Sequence, residues 1–139
     1  MEEQKPAKII FGVKARESLR LLDDSVLRAM YKNFIIPIKR GYEISELQGK
    51  YKPSWIITGR QSLTLRAQFA DFAKTHQLYH YHFGYPYYQT GRDREYLGDE
   101  SDGILHIRTL ELSPLRVIGI FRIDDKHPTP FSFPTDLTI

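Results

Sequence analysis

Apolar positions in the first third of the chain predict one strand followed by a helical region. The β-branched and aromatic run Ala7–Lys14 is typical of a strand. From Ala15 onward, apolar residues recur every three or four positions, which is the period of an amphipathic helix. The acidic pair before Ser25 could start a second helix by N-capping. We expect Pro37 and Gly41 to end this region.

The rest of the chain predicts a further helix and three strands. Tyr42–Gly59 carries loop and turn signals, and Gln61–Thr75 returns to a helical period. In Leu78–Gly84 aromatic residues alternate with a second set that includes two histidines, which predicts a strand with two different faces. Asp102–Leu110 follows a long connection as the next strand, and Leu115–Ile123 is apolar on both faces, like a strand buried on both sides.

The resulting order, β-α-(α)-β-β-β, predicts an α+β fold with a small sheet and its helices packed on one face. The 139 residues fit a single domain, 1–139. We expect residues 1–6 to be a flexible lead. Residues 126–139, which are rich in Pro and Phe, should form an extended tail with Phe131 and Phe133 on the body.

Composition removes several classes of function. Cysteine is absent, which excludes disulfides, thiolate metal sites and cysteine nucleophiles. No apolar run approaches the length that crosses a bilayer, so we expect no membrane partner and a cytoplasmic location. The net charge is +3, but basic residues dominate from Lys32 to Arg66 and acidic residues from Asp93 to Asp102. This asymmetry indicates that the middle of the chain meets a polyanion.

His80 and His82 are the most informative residues of the sequence. Two positions apart on a strand, they lie on one face with Cα atoms roughly 6–7 Å apart. Such a pair can bind one metal ion or handle protons at one phosphate.

Three motifs in the second half of the chain resemble the YafO-type toxins of bacterial toxin–antitoxin pairs, a branch of the RelE-like mRNA interferases. His80-Tyr-His82 is similar to the family's His-x-His strand. Ser101-Asp102 with the strand up to Arg108 resembles its acidic turn and next strand, and Arg116–His127 resembles its apolar strand closed by a histidine. A fainter likeness is Thr58–Gln61, and the Pro- and Phe-rich end departs from the family pattern.

The resemblance implies a small RelE-like β-α-(α)-β-β-β sheet and an endoribonuclease that cleaves mRNA on translating ribosomes. It also implies inhibition by a cognate antitoxin protein. We expect no cofactor and no metal.

Metal-free RNA cleavage requires a base for the 2′-hydroxyl, cations for the charge on phosphorus and an acid for the leaving oxygen. We predict His82 and His106 as the proton-handling pair and Arg108 as the phosphate clamp. Further catalytic candidates are His80, His127 and Asp102. The predicted RNA-binding residues are Lys50, Lys52, Arg60, Arg92 and Arg94.

Two alternatives remain open at this point. His80 and His82, with His106 or His127 and with Asp102, could form a His/carboxylate metal site open to water. Alternatively, the basic segment could belong to a non-catalytic module that binds RNA or an acidic protein.

Overall fold

A five-stranded mixed sheet organises the computed structural model, which describes residues 6–56, 70–112, 115–128 and 131–139. Its strands, in chain order, are β1 (Ala7–Phe11), β2 (Tyr51–Pro53), β3 (Tyr79–His82), β4 (Ile104–Leu112) and β5 (Leu115–Asp124). The helices between β1 and β2 are α1 (Val13–Leu19), α2 (Asp24–Met30), a π-helical turn (Tyr31–Ile35), α3 (Ile36–Lys39) and a 3₁₀ turn (Ile44–Glu46). Residues 70–75 are also helical.

The strand order is β1-β5-β4-β3-β2, with β1 parallel to β5 and every other pair antiparallel. This arrangement confirms the predicted α+β class. The long β4–β5 hairpin contains a bulge, because His106 pairs with Arg122 whereas the next residue, Ile107, pairs with Ile120. A bulge places two residues of one strand opposite one residue of its partner.

Strand β5 lies between β1 and β4 and is buried on both faces. From Val117 to Ile123 its apolar residues on the two faces are below about a tenth exposed, for example Val117 at 3% and Ile118 at 1%. Such a strand needs a layer over each face of the sheet. The double-sided apolar pattern of the sequence predicted this correctly.

Helices α1 to α3 cover one face of the sheet. Phe34 of the π-helical turn is fully buried and packs against Tyr81 of β3, with 5.2 Å between the ring centroids. Residues 70–75 lie elsewhere, in a second cluster where Ala73 packs with Leu78 and Phe133. The prediction that the helices share one face therefore holds for α1 to α3, while residues 70–75 help to cover the other face. No helix in the described ranges is both long and apolar enough to cross a membrane.

The helical region continues past Pro37, which was predicted to stop it. Pro37 lies at the start of α3, directly after the π-helical turn, where the Ile36 N–H still bonds the Tyr31 carbonyl and the backbone stays helical. Gly41, with a φ of 104°, follows the end of that helix as predicted. Asp23 stands directly before α2, at the predicted second start, although its side chain makes no capping hydrogen bond.

Strand β2 was not predicted, because Tyr42–Gly59 reads as a loop. It is a three-residue edge strand whose Pro53 pairs with Tyr79 at its end, and proline is tolerated at such an edge. Gly49 allows β3 to approach this segment closely. A Cβ at Gly49 would overlap the carbonyl oxygen of His82, and the Gly49 N–H donates to the Tyr81 hydroxyl at 3.1 Å.

The packing of Phe34 yields a stability prediction. Phe34→Ala should lower the free energy of unfolding by about 3–5 kcal/mol, because a fully buried ring is replaced by a cavity. Urea denaturation followed by circular dichroism measures this change. Tyr31→Ala is the matched control one turn earlier, where the side chain is 45% exposed, and it should cost less than about 1 kcal/mol. Equal losses for the two variants would contradict the described core.

Candidate active site on the histidine face

The sheet face opposite α1 to α3 carries His80, His82 and His106, and we call it the histidine face. Strand register arranges its residues in two rows that cross four strands. The first row is Lys52, His80, His106 and Arg122, and the second is Lys50, His82, Ile104 and Asp124. Side chains opposite one another on antiparallel strands have Cβ atoms about 5 Å apart. Seven of these eight side chains are polar or charged, which is unusual for the interior of a sheet.

Two residues from the C-terminal part of the chain cover this face. The ring of His127 stacks on that of His82, with 5.7 Å between their centroids. The ring of Phe131 lies 4.7 Å from His80 and 6.0 Å from His106 by the same measure. His127 itself is exposed, whereas the other three histidines are at most 5% exposed.

His82 is held at one ring nitrogen and lacks a partner at the other. Its Nδ1 lies 2.8 Å from the Ser101 carbonyl oxygen and 3.0 Å from the Ser101 amide nitrogen. Either neutral tautomer is therefore satisfied at Nδ1 by the backbone of Ser101. Nε2 is buried and has no hydrogen-bond partner among the described residues. Burial lowers the pKa of His82 to about 4, so the ring is neutral near pH 7.

His106 is fully buried beside a carboxylate. Its Nε2 lies 2.8 Å from Asp124 Oδ2. Because a carboxylate only accepts, Nε2 carries the proton and Nδ1 carries the lone pair. That Nδ1 is a second buried ring nitrogen without a partner in the described part of the chain. Burial lowers the pKa of His106, and the hydrogen bond to Asp124 opposes this effect.

His80 stands directly opposite His106 in the sheet. Its Nδ1 lies 3.0 Å from the Ser54 hydroxyl. Burial lowers the pKa of His80 well below its usual value, and the neighbouring histidines and Lys50 lower it further. The buried histidines thus form a neutral imidazole cluster.

An arginine–carboxylate pair at the end of β5 belongs to this site, and the sequence analysis did not find it. Arg122 Nε and Nη2 lie 3.1 and 3.0 Å from Asp124 Oδ2, and Nη2 also donates to the Ser132 carbonyl at 2.8 Å. Burial alone would raise the pKa of Asp124, but the His106 hydrogen bond and the charge of Arg122 lower it. The two residues do alternate with buried Phe121 and Ile123, but only the register with β4 reveals their contact with His106.

The register does not place the predicted proton-handling pair, His82 and His106, directly opposite each other. The direct partner of His106 is His80, whereas His82 pairs with Ile104. Arg108 pairs with Gly119 and lies four residues further along β4 from Ile104, roughly 13 Å by strand rise. Arg108 is therefore not next to His82, and the described arginine that contacts an imidazole is Arg122.

Asp102 does not lie next to an imidazole, although it was predicted to support one. Its side chain is exposed and makes no hydrogen bond to an imidazole within the described residues, because the chain contacts His82 through the backbone of Ser101. The carboxylate beside a histidine comes from Asp124 instead. His127 lies against the cluster, as its predicted supporting role requires.

The predicted RNA-binding lysines are engaged in ion pairs at the β2 end of the histidine face. Lys50 Nζ lies 2.8 Å from Glu100, and Lys52 Nζ lies 2.8 Å from Asp93, whose pKa is lowered by the Lys52 hydrogen bond. Both lysine side chains are largely buried. The acidic connection thus neutralises part of the basic segment in the folded chain.

The three arginines predicted to bind RNA have different outcomes. Arg60 lies outside the described residues. Arg92 and Arg94 are exposed on the connection between β3 and β4. Arg92 lines an open groove with Gln89, Thr90 and Glu100. Because Glu100 also pairs with Lys50 and precedes Ser101, this groove adjoins the His82 end of the site.

The metal-site alternative lacks a preformed ligand set. Within residues 6–56, 70–112, 115–128 and 131–139, no three His, Asp or Glu side chains are grouped so that they could hold one metal ion. The His80 and His82 rings are 6.0 Å apart between centroids and tilted by 63°. Asp102, the carboxylate predicted for this site, does not join the cluster.

The buried state of His82 predicts acid sensitivity. Between the ordinary pKa of 6.5 and the folded value of about 4, the unfolded chain binds a proton that the folded chain does not. The free energy of unfolding should therefore fall as the pH falls through this window, and His82 alone should contribute on the order of 3 kcal/mol. Urea denaturation over a pH series measures the slope. His82→Asn, which keeps an amide near Ser101 but does not titrate, should have a shallower slope, and an unchanged slope would contradict this assignment.

No protein-family model, curated protein or solved structure matches this chain. The likeness to YafO-type toxins therefore depends on the three short motifs described above.

Proposed function

We propose that this chain is an endoribonuclease that cleaves RNA by metal-free acid–base chemistry at the His82 end of the histidine face. One observation carries the proposal. His82 is oriented through Nδ1 by the backbone of Ser101, its Nε2 has no partner in the described residues, and it lies beside an accessible imidazole. An imidazole fixed at one nitrogen and unpartnered at the other has the arrangement of a general base once substrate reaches it.

His82 would act as the base that takes the 2′-hydroxyl proton. Its pKa of about 4 keeps it neutral, but a base of that pKa is weak near pH 7. Burial is the main cause of the low value. A bound phosphodiester would bring a negative charge close to the ring, and such a charge raises the pKa of an imidazole. The substrate itself would thus move His82 towards the pKa that catalysis favours.

Lys50 would hold the negative charge that develops on phosphorus at the His82 end, and Arg122 would contact a neighbouring phosphate of the bound strand. Lys50 lies next to His82, and its ammonium charge lowers the pKa of that ring after the larger effect of burial. Arg122 provides a second cation at the other end of the two rows. Cations fixed in a partly dehydrated site stabilise such charge more strongly than they would in water. The clamp in this proposal is therefore not Arg108.

His127 would protonate the leaving 5′-oxygen. It is the exposed member of the cluster and stacks on His82, so both faces of one phosphodiester could be reached from this pair. Attack of the 2′-oxygen on phosphorus would form a 2′,3′-cyclic phosphate. The 5′-oxygen would leave with the proton from His127 as a 5′-hydroxyl.

The biological setting in this proposal comes from the motif resemblance. The chain would be the toxin of a bacterial toxin–antitoxin pair that cuts mRNA on translating ribosomes and is silenced by a cognate antitoxin. Induced expression in a bacterium should then stop growth and shorten translated transcripts. Normal growth with intact mRNA would exclude this setting.

Purified protein should cleave single-stranded RNA in the presence of a chelator. The products should end in a 2′,3′-cyclic phosphate and a 5′-hydroxyl, because the 2′-oxygen is the nucleophile and no metal-activated water is needed. Gel analysis with end-group labelling checks both points. Cleavage that a chelator abolishes and zinc restores would instead support the metal-site alternative.

His82→Asn should lower the cleavage rate by ~10²–10⁴-fold, the usual cost of removing a general base. His76→Asn is the matched control, because His76 contacts Phe72 and not the cluster. Both variants should keep a native circular dichroism spectrum. Retained RNA binding by His82→Asn would assign His82 to chemistry, whereas binding without cleavage by the unmodified chain would support a non-catalytic RNA-binding module.

A further inference from the structure

Residues 131–139, which we call the C-terminal strap, lie over the histidine face without joining the sheet. They form neither helix nor strand, and no strand pairs with them in the described part of the chain. Phe131 contacts the rings of His80, His106 and His127, the last at 5.9 Å between centroids. The strap therefore covers His80 and His106 and contacts His127, to which the role of the acid is assigned above.

A few separate contacts hold the strap. Arg122 donates to the carbonyl and hydroxyl oxygens of Ser132, and Val13 N donates to the Thr138 carbonyl at 2.8 Å. Phe133 is 6% exposed and packs in the cluster with Ala73 and Leu78. A segment held by side chains and isolated hydrogen bonds can detach without disrupting a ladder of backbone bonds.

The cover does not match the chemistry of the surface beneath it. The benzene ring of Phe131 offers no hydrogen-bonding group, while Nδ1 of the adjacent His106 is buried without a partner among the described residues. Buried polar atoms of this kind destabilise the covered state. In addition, Arg122 donates to Ser132 of the strap, so these donor positions become free when the strap leaves, while the pair with Asp124 remains. The uncovered face would present imidazoles between the two lysines at one end and the Arg122–Asp124 pair at the other.

We propose that the C-terminal strap is an autoinhibitory cover, and that its displacement exposes a binding surface for the phosphodiester backbone of RNA. The inference rests on the proposed function, since it concerns access of RNA to the same sheet face. Phosphate oxygens would accept hydrogen bonds from Arg122, at the positions that Ser132 occupies in the closed state. In the closed state only the fraction of molecules with an open strap binds, so the apparent affinity falls by that fraction.

Phe131→Ala in the full-length chain tests the proposal. The substitution removes the ring that contacts three histidines, so the open fraction should rise. Labelling of His80 and His106 by diethylpyrocarbonate, located by peptide mass spectrometry, should accelerate by roughly tenfold or more. Affinity for a 2′-deoxy oligonucleotide, which cannot be cleaved, should increase by a similar factor. Exposed His127 should be labelled rapidly in every variant.

Two full-length control variants test whether loss of the Phe131 side chain, and not any change in the strap, causes these effects. Phe131→Leu keeps an apolar contact and should resemble the unmodified chain. Thr135→Ala, at an exposed strap position, should leave labelling and binding unchanged. Equal labelling rates for Phe131→Ala and the unmodified chain would overturn the inference.

The unmodified chain provides a second measurement if Phe131→Ala fails to fold. In low urea, labelling of His80 should depend on urea more weakly than global unfolding does, because lifting the strap exposes less surface than unfolding. Identical urea dependence would mean that the strap opens only when the protein unfolds, which would overturn the inference.

Binding of the deoxy oligonucleotide and cleavage of RNA, measured side by side, test the strap inference and the proposed function separately. If Phe131→Ala accelerates labelling and binds the deoxy oligonucleotide more tightly but never cuts RNA, the strap covers a nucleic-acid surface and the endoribonuclease proposal fails. If RNA is cut at the same rate by both proteins, the function stands and the strap inference fails.

Discussion

The double-sided burial of β5 is the constraint on which the rest of the structure depends. A central strand with apolar residues on both faces is stable only when each face of the sheet is covered. Helices α1 to α3 provide one layer around Phe34 and Tyr81. The other layer is built from pieces far apart in the sequence, namely residues 70–75 and the C-terminal strap. The second layer is therefore thinner and less regular than the first.

The histidine face combines burial with an unusual number of ionisable groups. Its imidazoles remain neutral because burial outweighs their hydrogen bonds. Charged residues occupy the two ends, where each cation has a carboxylate partner: Lys50 with Glu100, and Arg122 with Asp124. Burying charges is tolerated when such pairs satisfy them. The arrangement keeps cations close to titratable rings while the folded chain stays stable.

Much of the fold can be predicted from the local pattern of apolar and polar residues, whereas the site depends on the register between neighbouring strands. Alternation in Leu78–Gly84 correctly separates Tyr81 from His80 and His82, and the pattern of β5 identifies the central strand. The residues that those histidines contact cannot be predicted from the same local pattern. Whether His106 meets His80 or His82 depends on a shift of two residues between β3 and β4, and the hydrophobic pattern is the same for both. Likewise, nothing local indicates that Glu100 will neutralise Lys50, because the contact crosses fifty positions of the chain.

The bulge in the β4–β5 hairpin has a consequence for how this sequence can vary. Towards the hairpin turn, Ile118 and Ile120 share the core face, and strict alternation would send residue 122 to that same face. The extra residue reverses the alternation, so that Ile123 enters the core while Arg122 and Asp124 join the histidines. Deleting Phe121, the residue of β5 without a partner in β4, would leave these environments in place, because Arg122 would then follow Ile120 directly and still pair with His106. Loss of one residue among related sequences should thus be tolerated at this point.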